Sequence, residues 1–148
     1  MASTFSSLHF HIVFATKFRK PLLTPPLLAP THAFLGGCVR KKGAVPIQIG
    51  GAADHVHMLV RLKPSDSVAQ LLHDVKKPVS DWLRNEMKCE GFYWQDGYSA
   101  FTVGRSQIER VTHYIATQAE HHRKKAFEDE YRALLKAHNI EFDERFLL

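Results

Sequence analysis

The sequence has no long hydrophobic run and little cysteine. No apolar stretch approaches the roughly 18–20 residues that a helix needs to cross a bilayer, and the N-terminus lacks the basic flank and apolar segment of a signal peptide. Cys38 and Cys89 are the only cysteines, and their spacing is not that of a metal site. We therefore expect a cytoplasmic protein of a reducing compartment, with no membrane partner.

Repeats, low-complexity tracts and linker-like segments are also absent, so nothing divides the 148 residues. Since 45% of the residues are hydrophobic, the chain can build a core, which excludes intrinsic disorder. The length predicts one domain spanning 1–148, of which about 126–148 is a helical extension.

Charge and histidine content narrow the function. Twenty Lys and Arg against fifteen Asp and Glu give a net charge of +5, which permits nucleic-acid binding without requiring it. Ten histidines are unusual for this length and direct attention to metal ligands and acid/base groups.

The order of predicted elements indicates the fold class. Apolar residues alternate from Leu8, which predicts a strand, and Pro78 is expected to kink or split the second helix. The remaining elements are a helix over 24–42, strands over 45–49 and 54–62 separated by Gly50-Gly51, a helix over 67–87, a strand over 100–103, a helix capped by Ser106, and a helix over about 128–138. This order predicts an α+β, ferredoxin-like (RRM-like) antiparallel sheet with helices on one face and a C-terminal helical extension.

Two short patterns are candidates for chemistry. His55 and His57 lie two residues apart on a predicted strand, so both imidazoles project from one face and could hold a metal. For this spacing alone, a partly exposed strand with two incidental histidines is the more common explanation. Leu59 at the next alternate position excludes nucleotide hydrolases and transferases that use three alternating histidines. Tyr114 and Gln118 share a helix face at the edge of an apolar stripe, where a tyrosine is also common as a core residue with a solvated hydroxyl.

Taken together and in order, these motifs resemble a known family, the HUH-superfamily single-tyrosine transposases of the insertion sequence two-hundred type, and especially their REP-associated relatives. The resemblance covers nearly the whole chain. The segments that carry it are Gly50-Gly51, Asp54-His55-Val56-His57-Met58-Leu59-Val60, Trp94-Gln95-Asp96-Gly97-Tyr98, Phe101-Thr102-Val103, Tyr114, Gln118-Ala119-Glu120-His121-His122-Arg123 and Ile140-Glu141-Phe142-Asp143-Glu144-Arg145-Phe146.

The resemblance implies a metal-dependent transposase of the bacterial cytoplasm that cleaves and rejoins single-stranded DNA. Tyr114 would be the nucleophile, forming a 5′-phosphotyrosine link and freeing a 3′ hydroxyl, with Mg²⁺ or Mn²⁺ held by His55, His57 and Gln118. It also implies DNA hairpins as partners and a homodimer with shared active sites. Two imidazoles suit Mn²⁺ better than Mg²⁺, so the ligands alone do not select magnesium.

Other residues are candidates for the DNA interface or for support of the site. Solvated helix ends explain the basic clusters as well as phosphate contacts do. His9 and His11 lie on the less apolar face of the first strand, where structural histidines are the more common explanation and a position bordering the site is the alternative. Asp54 could orient His55. The candidate nucleic-acid-binding residues are Arg40, Lys41, Lys42, Lys76, His121 and Arg123.

One segment departs from the family pattern. Where relatives have a lysine, small polar residues and a serine pair before a tryptophan, this chain has Lys76-Lys77-Pro78-Val79-Ser80-Asp81-Trp82. If that segment contacts DNA, recognition would differ, so retention of the catalytic set does not guarantee full transposition activity. Two alternatives to a transposase also stay open. One is a domesticated, non-catalytic module that binds single-stranded nucleic acid by stacking on Trp94 and Tyr98. The other is a metal-dependent phosphodiesterase that uses water instead of Tyr114.

Overall fold

The computed structural model describes residues 2–120 and 126–148. Within them no helix is long and apolar enough to cross a membrane, and both cysteines are free thiols. The helices and strands are, in chain order, β1 (Leu8–Ala15), α1 (Pro25–Lys41), β2 (Val45–Ala52), β3 (His55–Leu62), α2 (Val68–Asn85), β4 (Ser99–Val103), α3 (Ile108–Ala116) and α4 (Phe127–Ala137).

The strands form one four-stranded antiparallel sheet in the order β2-β3-β1-β4. Two β-α-β units with the first and third strands at the centre produce this order, so the predicted ferredoxin-like fold is confirmed. The alternation along β1 and β3 gives the sheet two different faces. Side chains such as Ile12, Phe14 and Met58 meet α1 and α2 in the main core.

The second face of the sheet is covered by the C-terminal helices. Val13 and Phe101 pack against Phe127, Tyr131 and Leu135 of α4. Further along the sheet, Leu59 and Val103 pack against Ile115 of α3. Thus α3, together with α4 from the segment predicted as a helical extension, encloses the face on which the histidine pair lies.

Three local predictions differ from the structure. Gly50 and Gly51 do not form the turn; β2 continues through them to Ala52, and the turn follows at residues 53–54. Pro78 does not interrupt α2, which continues to Asn85; packing of Val75 and Val79 in the main core holds the helix together around it. The late helix begins at Ile108 after a 3-10 turn that contains Ser106 and ends at Ala116, because Thr117 leaves the helical region with φ −106° and ψ 22°.

Gly50 allows α3 to approach the sheet. A Cβ atom at Gly50 would lie 2.2 Å from the backbone oxygen of Ile115. We expect Gly50→Ala to lower the free energy of unfolding by at least about 2 kcal/mol, since two backbones would have to separate. Thermal unfolding followed by circular dichroism measures the change.

Gly37→Ala is the matched control for this substitution. Gly37 lies in α1, is exposed, and has nothing within 4 Å of an added Cβ atom. Alanine there should stabilise the protein by about 0.5–1 kcal/mol through helix propensity. Equal destabilisation by both substitutions would show that the close approach of α3 at Gly50 is not the cause.

Candidate metal and tyrosine site

The two histidines lie at the start of β3, an inner strand of the sheet, on the face covered by α3 and α4. Both are fully buried. In the sheet register His57 is paired with Gly50 on one side and Val13 on the other, whereas His55 is paired with Ala52 and Ala15. Three of these four neighbours are Gly or Ala, and the space beside Gly50 is filled by the backbone of Ile115.

His55 is held between two side chains. Its Nδ1 lies 2.7 Å from Asp54 Oδ1, and its Nε2 lies 3.1 Å from Gln118 Oε1. Asp54 can reach it because Asp54 belongs to the turn before β3, where the alternation of strand side chains does not apply. A carboxylate only accepts, so Nδ1 of His55 donates to Asp54; in the tautomer that carries this proton alone, Nε2 faces the amide oxygen as an acceptor. Two acceptors facing each other suit a cation between them.

His57 is held in a similar way by His11. The distance from His11 Nε2 to His57 Nδ1 is 2.7 Å, and the rings stack with centroids 5.0 Å apart. Burial, and after it the neighbouring His57, lowers the pKa of His11 to about 3, so His11 is neutral at physiological pH. A neutral His11 can accept a hydrogen bond from His57 Nδ1. In that tautomer His57 Nε2 carries no proton and faces Glu130, as the ligand nitrogen of a metal site would.

Glu130 of α4 completes the cluster, and the sequence analysis missed it. Its Oε1 lies 3.0 Å from His57 Nε2. Ligand atoms of His55, His57 and Glu130 all lie within 4.8 Å of one another, so the three could hold a metal ion. A signal was present: Glu130 lies on the apolar face of its helix, beside Phe127 and Tyr131, where a buried carboxylate requires a partner.

Tyr114 adjoins this cluster within the same chain. Its hydroxyl donates to Glu130 Oε1 at 2.5 Å, and its ring centroid lies 5.8 Å from that of His57. Burial raises the pKa of Tyr114, and the hydrogen bond and negative charge of Glu130 raise it further. The side chain is therefore a neutral phenol whose proton is directed at a carboxylate.

Gln118 reaches the site although it lies outside α3. It begins the helical residues 118–120 beyond the break at Thr117 and is almost completely buried. The structure therefore brings together His55, His57, Tyr114 and Gln118, together with Asp54, His11 and Glu130. The metal-binding and catalytic roles of these residues stay predictions.

The candidate nucleic-acid-binding residues in the described part of the chain do not join this site. Lys76 of α2 donates to the backbone oxygens of Gln95 and Gly97, at 2.9 and 3.1 Å, and so holds that loop. Arg40, Lys41 and Lys42 lie exposed at the end of α1, a helix on the opposite face of the sheet. His121 and Arg123 lie outside the described residues.

Trp94 cannot serve as a stacking platform in this conformation. It packs edge-on against Phe14 and Phe92 in the main core, and its Nε1 donates to the backbone oxygen of Lys76 at 3.0 Å. This weakens the alternative in which Trp94 and Tyr98 together stack on single-stranded nucleic acid.

Comparison with known proteins identifies the family. Residues 4–118 match the family described as transposase IS200 like, a span that includes both histidines, Tyr114 and Gln118. The chain belongs to this family. The transposases for insertion sequence element IS200 of Salmonella typhimurium strain LT2 and Salmonella typhi are each 27% identical to this IS200-like transposase over 126 residues, covering 81% of this chain and 82% of theirs.

Solved structures share the fold. A candidate transposase from Deinococcus radiodurans R1 superposes with a TM-score of 0.63 at 18% identity, covering 80% of this chain and 95% of that one. A REP-associated tyrosine transposase bound to a REP hairpin superposes with a TM-score of 0.60 at 13% identity, covering 82% of this chain and 74% of the other. The family match ends at residue 118, before Glu130. The position of Glu130 in the site therefore comes from the structure of this IS200-like transposase and not from the family match.

Proposed function

We propose that this IS200-like transposase cleaves and rejoins single-stranded DNA by transesterification through Tyr114. The hydroxyl oxygen of Tyr114 attacks a backbone phosphorus, the bond to the 3′ oxygen breaks, and the products are a 5′-phosphotyrosine and a free 3′ hydroxyl. Attack by that hydroxyl or by another 3′ end reverses the step, so no external energy source is needed. The supporting observation is that the tyrosine hydroxyl lies within hydrogen-bond distance of the cluster that could hold a metal.

Glu130 is the proton acceptor in this proposal. A phenol attacks well only when its proton leaves, and Glu130 Oε1 already accepts the hydrogen bond of that proton. The same oxygen faces His57, so the carboxylate also fixes the tyrosine beside the histidines. The proton then passes to the 3′ oxygen as that oxygen departs.

The donor set fits a divalent cation. His55 and His57 would hold Mn²⁺ or Mg²⁺, with the oxygens of Gln118 and Glu130 as further ligands. Mg²⁺ prefers oxygen ligands, so the histidine pair alone favours Mn²⁺. With two oxygens added, the four ligands suit either cation. When bound, the cation offsets the negative charge of the phosphate. Asp54 and His11 keep the imidazoles in the ligating tautomers.

The proposed substrate is a DNA hairpin with single-stranded flanks. The support is the fold shared with a REP-associated transposase bound to a REP hairpin. The structure brings Tyr114 and the histidines together within one chain. The homodimer with shared sites therefore stays a prediction that rests on the family resemblance alone.

The proposal is tested by incubating the purified protein with labelled hairpins from the gene's own flanks, with Mn²⁺, with Mg²⁺ or with a chelator. We expect a covalent protein–DNA adduct on a denaturing gel with either metal and none with the chelator. Cleavage without an adduct would favour the phosphodiesterase that uses water. Binding without cleavage of either strand would favour the non-catalytic module.

The role of Glu130 has its own prediction. Glu130→Gln keeps the shape of the side chain but removes the negative charge and the ability to take a proton. We expect adduct formation at saturating Mn²⁺ to slow by about 10²-fold or more, which is the usual contribution of a general base. A time course on denaturing gels measures this rate.

Asp129→Asn is the control, since Asp129 is the preceding residue of α4 and is exposed. This variant should retain the wild-type rate. Full recovery of Glu130→Gln by excess Mn²⁺ would show that Glu130 acts only as a metal ligand and would overturn its role as proton acceptor.

A further inference from the structure

A cavity of about 340 Å³ lies beside the nucleophile, between β4, α3 and α4. Tyr114 and His11 form part of its wall, and the cavity is open to solvent. The volume is within the range of pockets that hold small ligands. His55 and His57 are fully buried, whereas Tyr114 contributes to the wall of this open cavity.

We propose that this cavity binds the nucleobase next to the phosphate that Tyr114 attacks. The inference rests on the proposed function, because the base is brought to the cavity only if the phosphate attached to its nucleotide is bound at Tyr114. It assigns a base-binding subsite in addition to the metal and tyrosine site.

The wall chemistry suits a flat, uncharged ring. Most of the lining surface is apolar, with side chains of Val103, Val111 and Leu134. One side is an aromatic stack in which the rings of Phe101 and His138 are 4.4 Å apart and inclined by 21°. Nucleobases bind single-strand proteins largely by stacking on such surfaces, so a base fits this wall better than a phosphate or a sugar does.

A cation borders the same cavity. Arg110 is exposed on α3, one turn before Tyr114, and contributes to the lining. Its guanidinium can pair with a backbone phosphate outside the apolar part of the cavity. The positive charge of Arg110 complements the phosphate of a nucleotide whose base occupies the cavity. This favours a nucleotide over a neutral apolar ligand.

The test moves a single abasic site, one nucleotide at a time, through the single-stranded flank of the hairpin. With wild-type protein and Mn²⁺ we expect adduct formation to fall by about 10-fold when the base beside the cleaved phosphate is missing, the effect of losing one stacked base. With His138→Ala protein, adduct formation on the intact substrate should fall by a similar factor. An abasic site at that position should then cause little further decrease.

His113→Ala is the matched control, since His113 is an exposed histidine of α3 that does not line the cavity. It should retain both the wild-type rate and the full abasic effect. His138 lies just after the last residue of α4 and is exposed, so the contact with Phe101 is the main packing lost in His138→Ala; circular dichroism checks that this variant is folded.

A binding measurement separates this inference from the proposed function. The fluorescence of 2-aminopurine at the same position should be quenched when Tyr114→Phe protein binds the oligonucleotide without metal. The quenching should be weaker with the double variant Tyr114→Phe, His138→Ala. Quenching of this kind without any adduct in the wild type would support the base site and overturn the proposed function. An adduct whose rate is insensitive to every abasic position, or quenching unchanged by His138→Ala, would overturn the base site.

Discussion

Replacement of Tyr114 by phenylalanine is expected to abolish the covalent protein–DNA adduct, lowering its rate of formation by at least about 10³-fold. The substitution removes the oxygen that forms the phosphodiester bond and leaves the ring, which packs 5.8 Å from that of His57. The fold and hairpin binding should therefore persist. Denaturing gels quantify the adduct, and a gel shift without metal quantifies binding.

Tyr98→Phe is the control for this experiment. Tyr98 is also partly exposed but lies in the loop before β4. It should form adduct at the wild-type rate. Persistence of the adduct in Tyr114→Phe would contradict the assignment of the nucleophile, whereas loss of hairpin binding would mean that the variant reports on structure instead of chemistry.

Substitution of His57 by asparagine should reduce Mn²⁺ affinity and adduct formation by at least about 10²-fold each. Asparagine cannot provide the imidazole nitrogen that faces Glu130, and it removes the partner of His11. Isothermal titration with Mn²⁺ measures affinity, and circular dichroism checks that the buried substitution has not unfolded the protein.

His9→Asn is the matched control. His9 lies on the same face of the sheet, two residues before His11 in β1, and contacts Ser7. It should keep wild-type metal affinity. Equal loss of affinity in both variants would contradict a site centred on the β3 histidines.

The same variants test the predicted homodimer. If the tyrosine and histidines act within one chain, as their contacts in the structure indicate, a mixture of Tyr114→Phe and His57→Asn proteins should form no adduct. Recovery of about a quarter to a half of the activity in the mixture would show that subunits share sites, as the family resemblance implies.

Local rules were sufficient for the sheet and for the histidine pair. The two-residue period of β3 fixes that His55 and His57 point the same way, because strand geometry alone determines it. The alternation in β1 predicted that strand, and the order of strands and helices along the chain predicted the ferredoxin-like sheet. Gln118 was selected through helical spacing, and it reaches His55 although the helix ends before it.

The remaining contacts of the site depend on tertiary packing. Glu130 lies 73 residues after His57 and meets it only because α4 folds back over the sheet. The pairing of His11 with His57 depends on the register between β1 and β3, which a single strand pattern does not give. Gly50 and Gly51 have the composition of a turn, but the close approach of Ile115 accounts for Gly50, a contact invisible in the sequence.

The central claim is that Tyr114 itself becomes joined to DNA, and mass spectrometry of the trypsin-digested adduct tests this most directly. The account predicts a nucleotide joined through its 5′ phosphate to the tyrosine in the peptide of residues 111–123. A nucleotide on another residue would contradict it. So would cleaved DNA whose 5′ phosphate has taken up ¹⁸O from labelled water while the peptide remains unmodified.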